Sequence, residues 1–141
     1  MVAVSVGLSR IACCRARRGA LFAWESVSAC STVILVEGLF DLASLWQAGF
    51  RNTTCGIGTH LTPAQCSQLC DQSGRYVYIA FDQDPNHAGQ RASRLLAQHL
   101  ESAGLRARIV ALPFGHDPNS YLVGGATASD FRACLQQAYC L

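Results

Sequence analysis

Four short apolar runs recur along the chain, each followed by a stretch of helical length. Val33-Ile34-Leu35-Val36 is wholly apolar and largely β-branched, as expected of a parallel strand buried on both faces. Thr53-Thr54-Cys55-Gly56-Ile57-Gly58 reads as a second strand entering a glycine-rich turn, Tyr76 to Phe81 as a third, and Arg108 to Leu112 as a fourth. Between them lie helix signals. Leu39 to Ala48 is stopped by Gly49, and Thr62-Pro63 pairs an N-cap with proline at the first helical position. Ala88, Ala92, Leu95, Leu96, Leu100 and Ala103 fall on one helical stripe that ends at Gly104. Asp117-Pro118 opens a short turn or helix, and Thr127-x-x-Asp130 opens a last helix by a capping box. Strands alternating with helices predict an α/β fold: a parallel four-stranded sheet with helices on both faces.

Composition narrows the function classes. A chain of 141 residues suits one domain, and with 50% hydrophobic and 14% charged residues it is not disordered as a whole. No apolar run approaches the ~20 residues that cross a bilayer, so no membrane partner is expected. All eleven basic residues are arginine. Residues 1–30 hold Arg10, Arg15, Arg17 and Arg18 against Glu25; the other seven arginines face eight acids. The body is therefore no bulk polycation, and any nucleic-acid contact there must be local or bridged by metal. Residues 1–31 are read as an irregular basic N-terminal extension and 32–141 as the domain. Eight cysteines form no Cys-x-x-Cys pair, which argues against a zinc ribbon. Without a recognisable secretion signal they are expected to be reduced, in a cytoplasmic setting.

Ligands of such sheets bind beyond the carboxyl ends of the strands. Glu37 directly follows the first strand, Asp82 the third, and Asp84 comes two residues later. In Asp82-Gln83-Asp84, an extended backbone points both carboxylates to one side. With Glu37 they offer an oxygen cage for a hard divalent cation, since Mg²⁺ takes one or two carboxylates plus water and substrate phosphate. Asp41 lies one helical turn after Glu37, and Asp117 follows the fourth strand. Arg91 and Arg94 lie on the helix after the acidic pair, where they could meet phosphate or simply face solvent. His60, His87 and His116 read as polar loop residues, and Trp24, Trp46 and Tyr121 as packing residues.

Four blocks in this order resemble a known family. Glu37-Gly38-Leu39-Phe40-Asp41, Gly58-Thr59-His60-Leu61-Thr62, Phe81-Asp82-Gln83-Asp84-Pro85-Asn86-His87-Ala88-Gly89, and Leu112-Pro113-Phe114-Gly115-His116-Asp117-Pro118-Asn119 are similar to the successive motifs of the TOPRIM domain. The form resembled is that of bacterial DnaG-type primases and the primase-like proteins of mobile elements, over about residues 32–124. The resemblance implies a Rossmann-like TOPRIM fold and nucleotidyl or phosphoryl transfer in DNA replication. It implies that Glu37 is catalytic or organises metal, that Asp82 and Asp84 hold Mg²⁺ or Mn²⁺ and serve catalysis, and that Asp41 and Asp117 join the metal cluster. It implies single-stranded DNA or RNA and nucleotides as partners, with replication proteins such as a helicase. Where the primase pattern has its next acid, this chain has Asn119, an amide with a carbonyl oxygen and no charge.

A full primase carries a zinc ribbon and a further catalytic half ahead of this domain, and neither fits residues 1–31. The chain is thus expected to be an isolated TOPRIM domain or a truncated primase-like protein. Two other readings stand beside the nucleotidyltransferase: a small TOPRIM nuclease hydrolysing phosphodiesters, and a non-catalytic remnant that keeps the fold for interaction.

Overall fold

The computed structural model describes residues 19–141. The basic cluster of Arg10, Arg15, Arg17 and Arg18 lies outside them. The chain runs α1 (Trp24–Val27), β1 (Thr32–Val36), α2 (Leu39–Gln47), β2 (Thr53–Cys55), α3 (Pro63–Leu69), β3 (Tyr76–Ala80), α4 (Ala88–Ser102), β4 (Arg106–Ile109), α5 (Pro118–Val123) and α6 (Ala128–Gln136). The four strands form one sheet in the order β2-β1-β3-β4, every pair parallel. This is the α/β architecture expected from the alternation of the elements. The fourth strand begins two residues earlier than Arg108 and closes at Ile109, although the Val110 N–H still donates to the Ile79 carbonyl.

Local signals act as their chemistry dictates. Thr62 caps α3 in a full capping box with Gln65, with Pro63 at the first helical position. Asp117 caps α5 and Thr127 caps α6 in the same way. Gly104 takes φ +86° just after α4, a left-handed turn that spares glycine the Cβ clash.

Right-handed crossovers put α2 on one face of the sheet and α3 and α4 on the other. The packing agrees. Cys66 of α3 and Leu96 of α4 line a common groove, α2 packs against α5, and Phe50, just after α2, meets Phe131 of α6 edge to face at 5.0 Å. Val33 to Val36 are all buried, as a central strand covered on both faces requires.

Two expectations need correction. The buried stripe of α4 is Gly89, Ser93, Leu96, Ala97 and Leu100, while Ala88 and Ala103 are exposed and Leu95 is 66% exposed. Two small residues, Gly89 and Ser93, face the sheet because the helix approaches it closely there, and apolar periodicity does not register them. The packed body also begins ahead of Thr32. Leu21, Ala23 and Val27 are buried, and the Phe22 N–H donates to the Cys55 carbonyl at the edge of β2 (2.9 Å).

Arg75 fixes this segment. Fully buried, its guanidinium donates to the carbonyls of Gln68 and Leu69 at the end of α3 and to those of Ser28 and Cys30. It thus satisfies the open end of one helix and binds residues 19–31 to it. No disulfide forms among the described residues, and burial pushes the Cys55 thiol up to about 11, which holds it protonated. No described helix is long and apolar enough to cross a membrane.

Candidate active site

β1 leads out to β2 on one side and β3 to β4 on the other, so the connections diverge at the carboxyl ends of the two central strands. Such a switch point leaves a crevice. Register sets Val36 opposite Ala80, which brings Glu37 level with Phe81 and one residue short of Asp82. The Asp82 N–H donates to Oε1 of Glu37 at 3.0 Å. Gly89 makes this approach possible: a Cβ there would stand 2.3 Å from the Asp82 carbonyl and 3.1 Å from Glu37 Oε1.

Asp41 and Asp117 arrive on two further segments, and Asp84 on the connection that carries Asp82. Asp41, in the first turn of α2, is buried (6% exposed), and its Oδ1 accepts the Asn119 N–H at 3.0 Å. Asp117 comes from the start of α5, where Oδ1 also accepts the Ser120 N–H at 2.6 Å. Asp84 lies in the β3–α4 connection, its carbonyl accepting the His87 N–H at 3.0 Å. The loop after β4 is joined to that connection: the Gly115 N–H donates to the Gln83 carbonyl, and the Gln83 N–H to that of His116. The turn after β2 closes the third side. There the Gly58 N–H donates to the Glu37 carbonyl at 2.8 Å, and Ile57 sits at φ +60°, a strained place for a β-branched residue.

The electrostatics show that these carboxylates share one environment. Desolvation, then the charges of Glu37, Asp41, Asp117 and Asp84, push the Asp82 carboxyl up to about 7. Desolvation raises Asp41 to about 6 against the Asn119 N–H, with Asp117 and Glu37 adding repulsion. Glu37 is raised by desolvation, offset by the Asp82 N–H, with Asp84 and Asp117 raising it further. The one ion pair among the described residues joins Arg75 to Asp71, so it neutralises none of the five.

The expectation of a ready-made cage from Glu37, Asp82 and Asp84 needs correction in one respect. Among the described residues, no three acidic, histidine or cysteine side chains converge on a point that would enclose an ion unaided. Glu37 is turned toward the Asp82 N–H, and unneutralised like charges lower their energy by spreading apart. The donors nonetheless fit a hard cation. Oδ1 of Asp82 is buried without a hydrogen-bond partner, an acceptor left open to a cation. A site of one or two carboxylates finished by water and phosphate suits Mg²⁺ better than a closed cage does.

Asn119 does not aim a carbonyl at this crevice. Its Oδ1 accepts the Ser44 hydroxyl at 2.6 Å, so it ties α5 to α2. Gln90 joins the site with little warning from the sequence. Its Nε2 reaches the Asp84 carbonyl at 3.4 Å and its Oε1 is buried without a partner. Its place in the first turn of the helix after the acidic pair is the only local signal that points to it. Arg91 turns back to the Asn86 carbonyl.

Residues 34–122 match the profile of the Toprim-like family. The chain belongs to that family. Relatives that it matches include DNA primases. The TOPRIM domain is 40% identical over 89 residues to DNA primase of Aquifex aeolicus and 32% over 105 residues to that of Chlamydia trachomatis. These alignments cover 63% and 74% of this chain, but only 17% of either relative. Among solved structures, the Aquifex aeolicus primase (zinc binding and RNA polymerase domains) superposes with a TM-score of 0.71 at 33% identity, over 84% of this chain and 30% of that one. The Escherichia coli primase catalytic core superposes with a TM-score of 0.65 at 27% identity, over 84% and 39%. A DnaG primase catalytic domain bound to single-stranded DNA shares the fold, with a TM-score of 0.68 at 23% identity over 85% and 40%. The chain is thus a TOPRIM domain of DnaG type that spans about 17% of the length of the curated relatives it matches.

Proposed function

We propose that this TOPRIM domain serves divalent-metal-dependent nucleotidyl transfer of the DNA primase type, as one part of a larger primase-like assembly in DNA replication. The observation that carries the reading is the buried, unpartnered Oδ1 of Asp82 within a cluster of mutually repelling carboxylates. Asp82 and Asp84 would hold Mg²⁺ or Mn²⁺, with Asp41 and Asp117 completing the negative field and Glu37 beside them as the catalytic or organising glutamate. When bound, such an ion stabilises charge on phosphoryl oxygens.

The residues of the chain divide the remaining work. Glu37 accepts the Asp82 N–H and so sets the height of Asp82 in the crevice. Asp41 fixes α5, and with it Asp117, through the Asn119 N–H. Gly58 holds the β2 turn against Glu37. Single-stranded DNA or RNA and nucleotides are the proposed partners, with a replication protein such as a helicase nearby in the assembly. A cytoplasmic location goes with this role.

The test has two arms. In the first, the chain is melted in EDTA and with Mg²⁺ or Mn²⁺. The wild type is expected to gain stability from the ion and Asp82→Asn and Asp84→Asn to lose most of that gain; no gain in the wild type overturns the metal role. In the second, residues 34–122 replace the matching segment of the Aquifex aeolicus primase. Primer synthesis on a single-stranded template should survive in the chimera and fall at least ~100-fold with Glu37→Gln or Asp82→Asn. Synthesis untouched by both substitutions rejects the assigned roles.

A further inference from the structure

The acidic crevice leaves unexplained the opposite end of the sheet, which carries an arginine and tyrosine surface. Pairing of β3 with β4 sets Tyr76 beside Arg106 and Tyr78 beside Arg108, all on one face of the sheet. A groove of about 410 Å³ opens there, lined by Thr32, Tyr76, Tyr78 and Arg108 on the sheet and by Leu135 and Gln136 of α6. The Arg106 guanidinium lies 5.0 Å from the centre of the Tyr76 ring, and its Nη1 donates to the Tyr76 hydroxyl at 3.0 Å. Arg108 donates one N–H to the Ala138 carbonyl at 3.3 Å. Each guanidinium has five N–H donors, so both retain several for an incoming anion.

Neither Arg106 nor Arg108 forms an ion pair among the described residues. The Arg106 hydrogen bond and charge, with Arg108 behind it, hold the Tyr76 hydroxyl below its ordinary pKa. Two further arginines gather around Phe50, beside α6. Arg132 stands one helical turn before Gln136 and stacks at 5.7 Å over Phe50, and Arg51 precedes Asn52, whose side chain donates to the Thr32 carbonyl. Cationic planes held beside half-exposed aromatic rings are what a single-stranded nucleic acid requires: phosphates for the guanidinium groups, bases for the ring faces.

We propose that this face, at the amino ends of β3 and β4 beside α6, is a second binding surface for single-stranded nucleic acid, separate from the acidic crevice. The two lie at opposite ends of the same strands, so a strand bound at the arginine surface is held without being presented to the carboxylates. Neither its residues nor its chemistry depend on a metal, so it stands whether or not the acidic site holds one.

The experiment measures fluorescence anisotropy of a labelled oligothymidylate of about 12 nucleotides with the whole chain, in EDTA, across a salt series. Arg106→Gln with Arg108→Gln should weaken binding about tenfold and flatten the slope of log affinity against log salt by about 1.4, or about 0.7 for each phosphate no longer neutralised. Arg106→Lys with Arg108→Lys should restore the slope, which shows that charge, not folding, was removed. Tyr76→Leu should weaken binding about fivefold with the slope unchanged. Unaltered binding in the glutamine variant overturns the proposal. So does loss of binding in Arg91→Gln with Arg94→Gln instead, or binding that needs Mg²⁺ and is lost in Asp82→Asn. If polyphosphate competes as well as the oligonucleotide and Tyr76→Leu has no effect, the surface reads charge alone and the nucleic-acid assignment is wrong.

Discussion

Oε1 of Glu37 accepts the backbone N–H of Asp82 at 3.0 Å, across 45 residues of sequence. This bond stitches the carboxyl ends of the two central strands together at the level of the acidic crevice. It makes Glu37 both a structural acceptor and a source of repulsion for Asp82. The two roles separate by substitution. Glu37→Gln keeps an oxygen for the Asp82 N–H, so chemical denaturation should find it within about 1 kcal/mol of wild type. Glu37→Ala leaves the donor unpaired and is expected to cost about 1–3 kcal/mol.

Raised carboxyl pKa values fix the sign of a pH effect. A group that binds its proton more tightly folded than unfolded stabilises the fold below its unfolded value and loses that contribution as pH rises through the folded one. For Asp82, raised from 3.8 to about 7, and Asp41, raised from 3.8 to about 6, the window runs from about pH 4 to pH 7. Stability in EDTA should therefore fall across this window relative to Asp82→Asn. At pH 8 that variant should be the more stable by roughly 1–2 kcal/mol, a figure discounted for solvent screening. Saturating Mg²⁺ should erase the difference. Urea titrations at several pH values, with and without the ion, make the comparison.

Gly89 is a steric requirement of the crevice. In Gly89→Ala the new methyl group must move backbone, because its nearest neighbour is the Asp82 carbonyl at 2.3 Å. A loss of about 1–3 kcal/mol is expected, together with weaker Mg²⁺ stabilisation. Melting curves with and without Mg²⁺ report both. Unchanged stability would show that α4 can slide away from β3 freely.

Asn119 is predicted to be a structural tie and not a metal ligand. Asn119→Ala removes the acceptor of the Ser44 hydroxyl but keeps the backbone donor to Asp41. It should cost about 1 kcal/mol in denaturation and leave the midpoint of a Mg²⁺ titration within about twofold.

Arg75 holds residues 19–31 to α3. Its partner Asp71 is 44% exposed at the side chain, so the carbonyls around the guanidinium, more than the ion pair, compensate its burial. Arg75→Ala should cost about 3–5 kcal/mol, because four carbonyls lose their donor together. Arg75→Lys should recover little, since a single ammonium cannot span the fork. Limited proteolysis near Trp24 should accelerate in both variants.

Local signals were enough to read the alternation of strands and helices from Thr32 onward, the caps at Thr62, Asp117 and Thr127, and the placing of Glu37 and Asp82 at strand ends. Each depends on neighbours within a few residues: a hydroxyl or carboxylate reaching an N–H three positions on, or an apolar run too short to be a helix. Three-dimensional packing made Gly89 and Ser93, not Ala88 and Leu95, face the sheet, and made Arg75 a buried clasp. It alone set Asn119 on Ser44, aligned Tyr76 with Arg106, and drew five acids into one crevice without closing them into a cage. Those outcomes depend on register, on helix-to-sheet distance and on desolvation. These are fixed by groups far apart along the chain, and local periodicity carries no record of them.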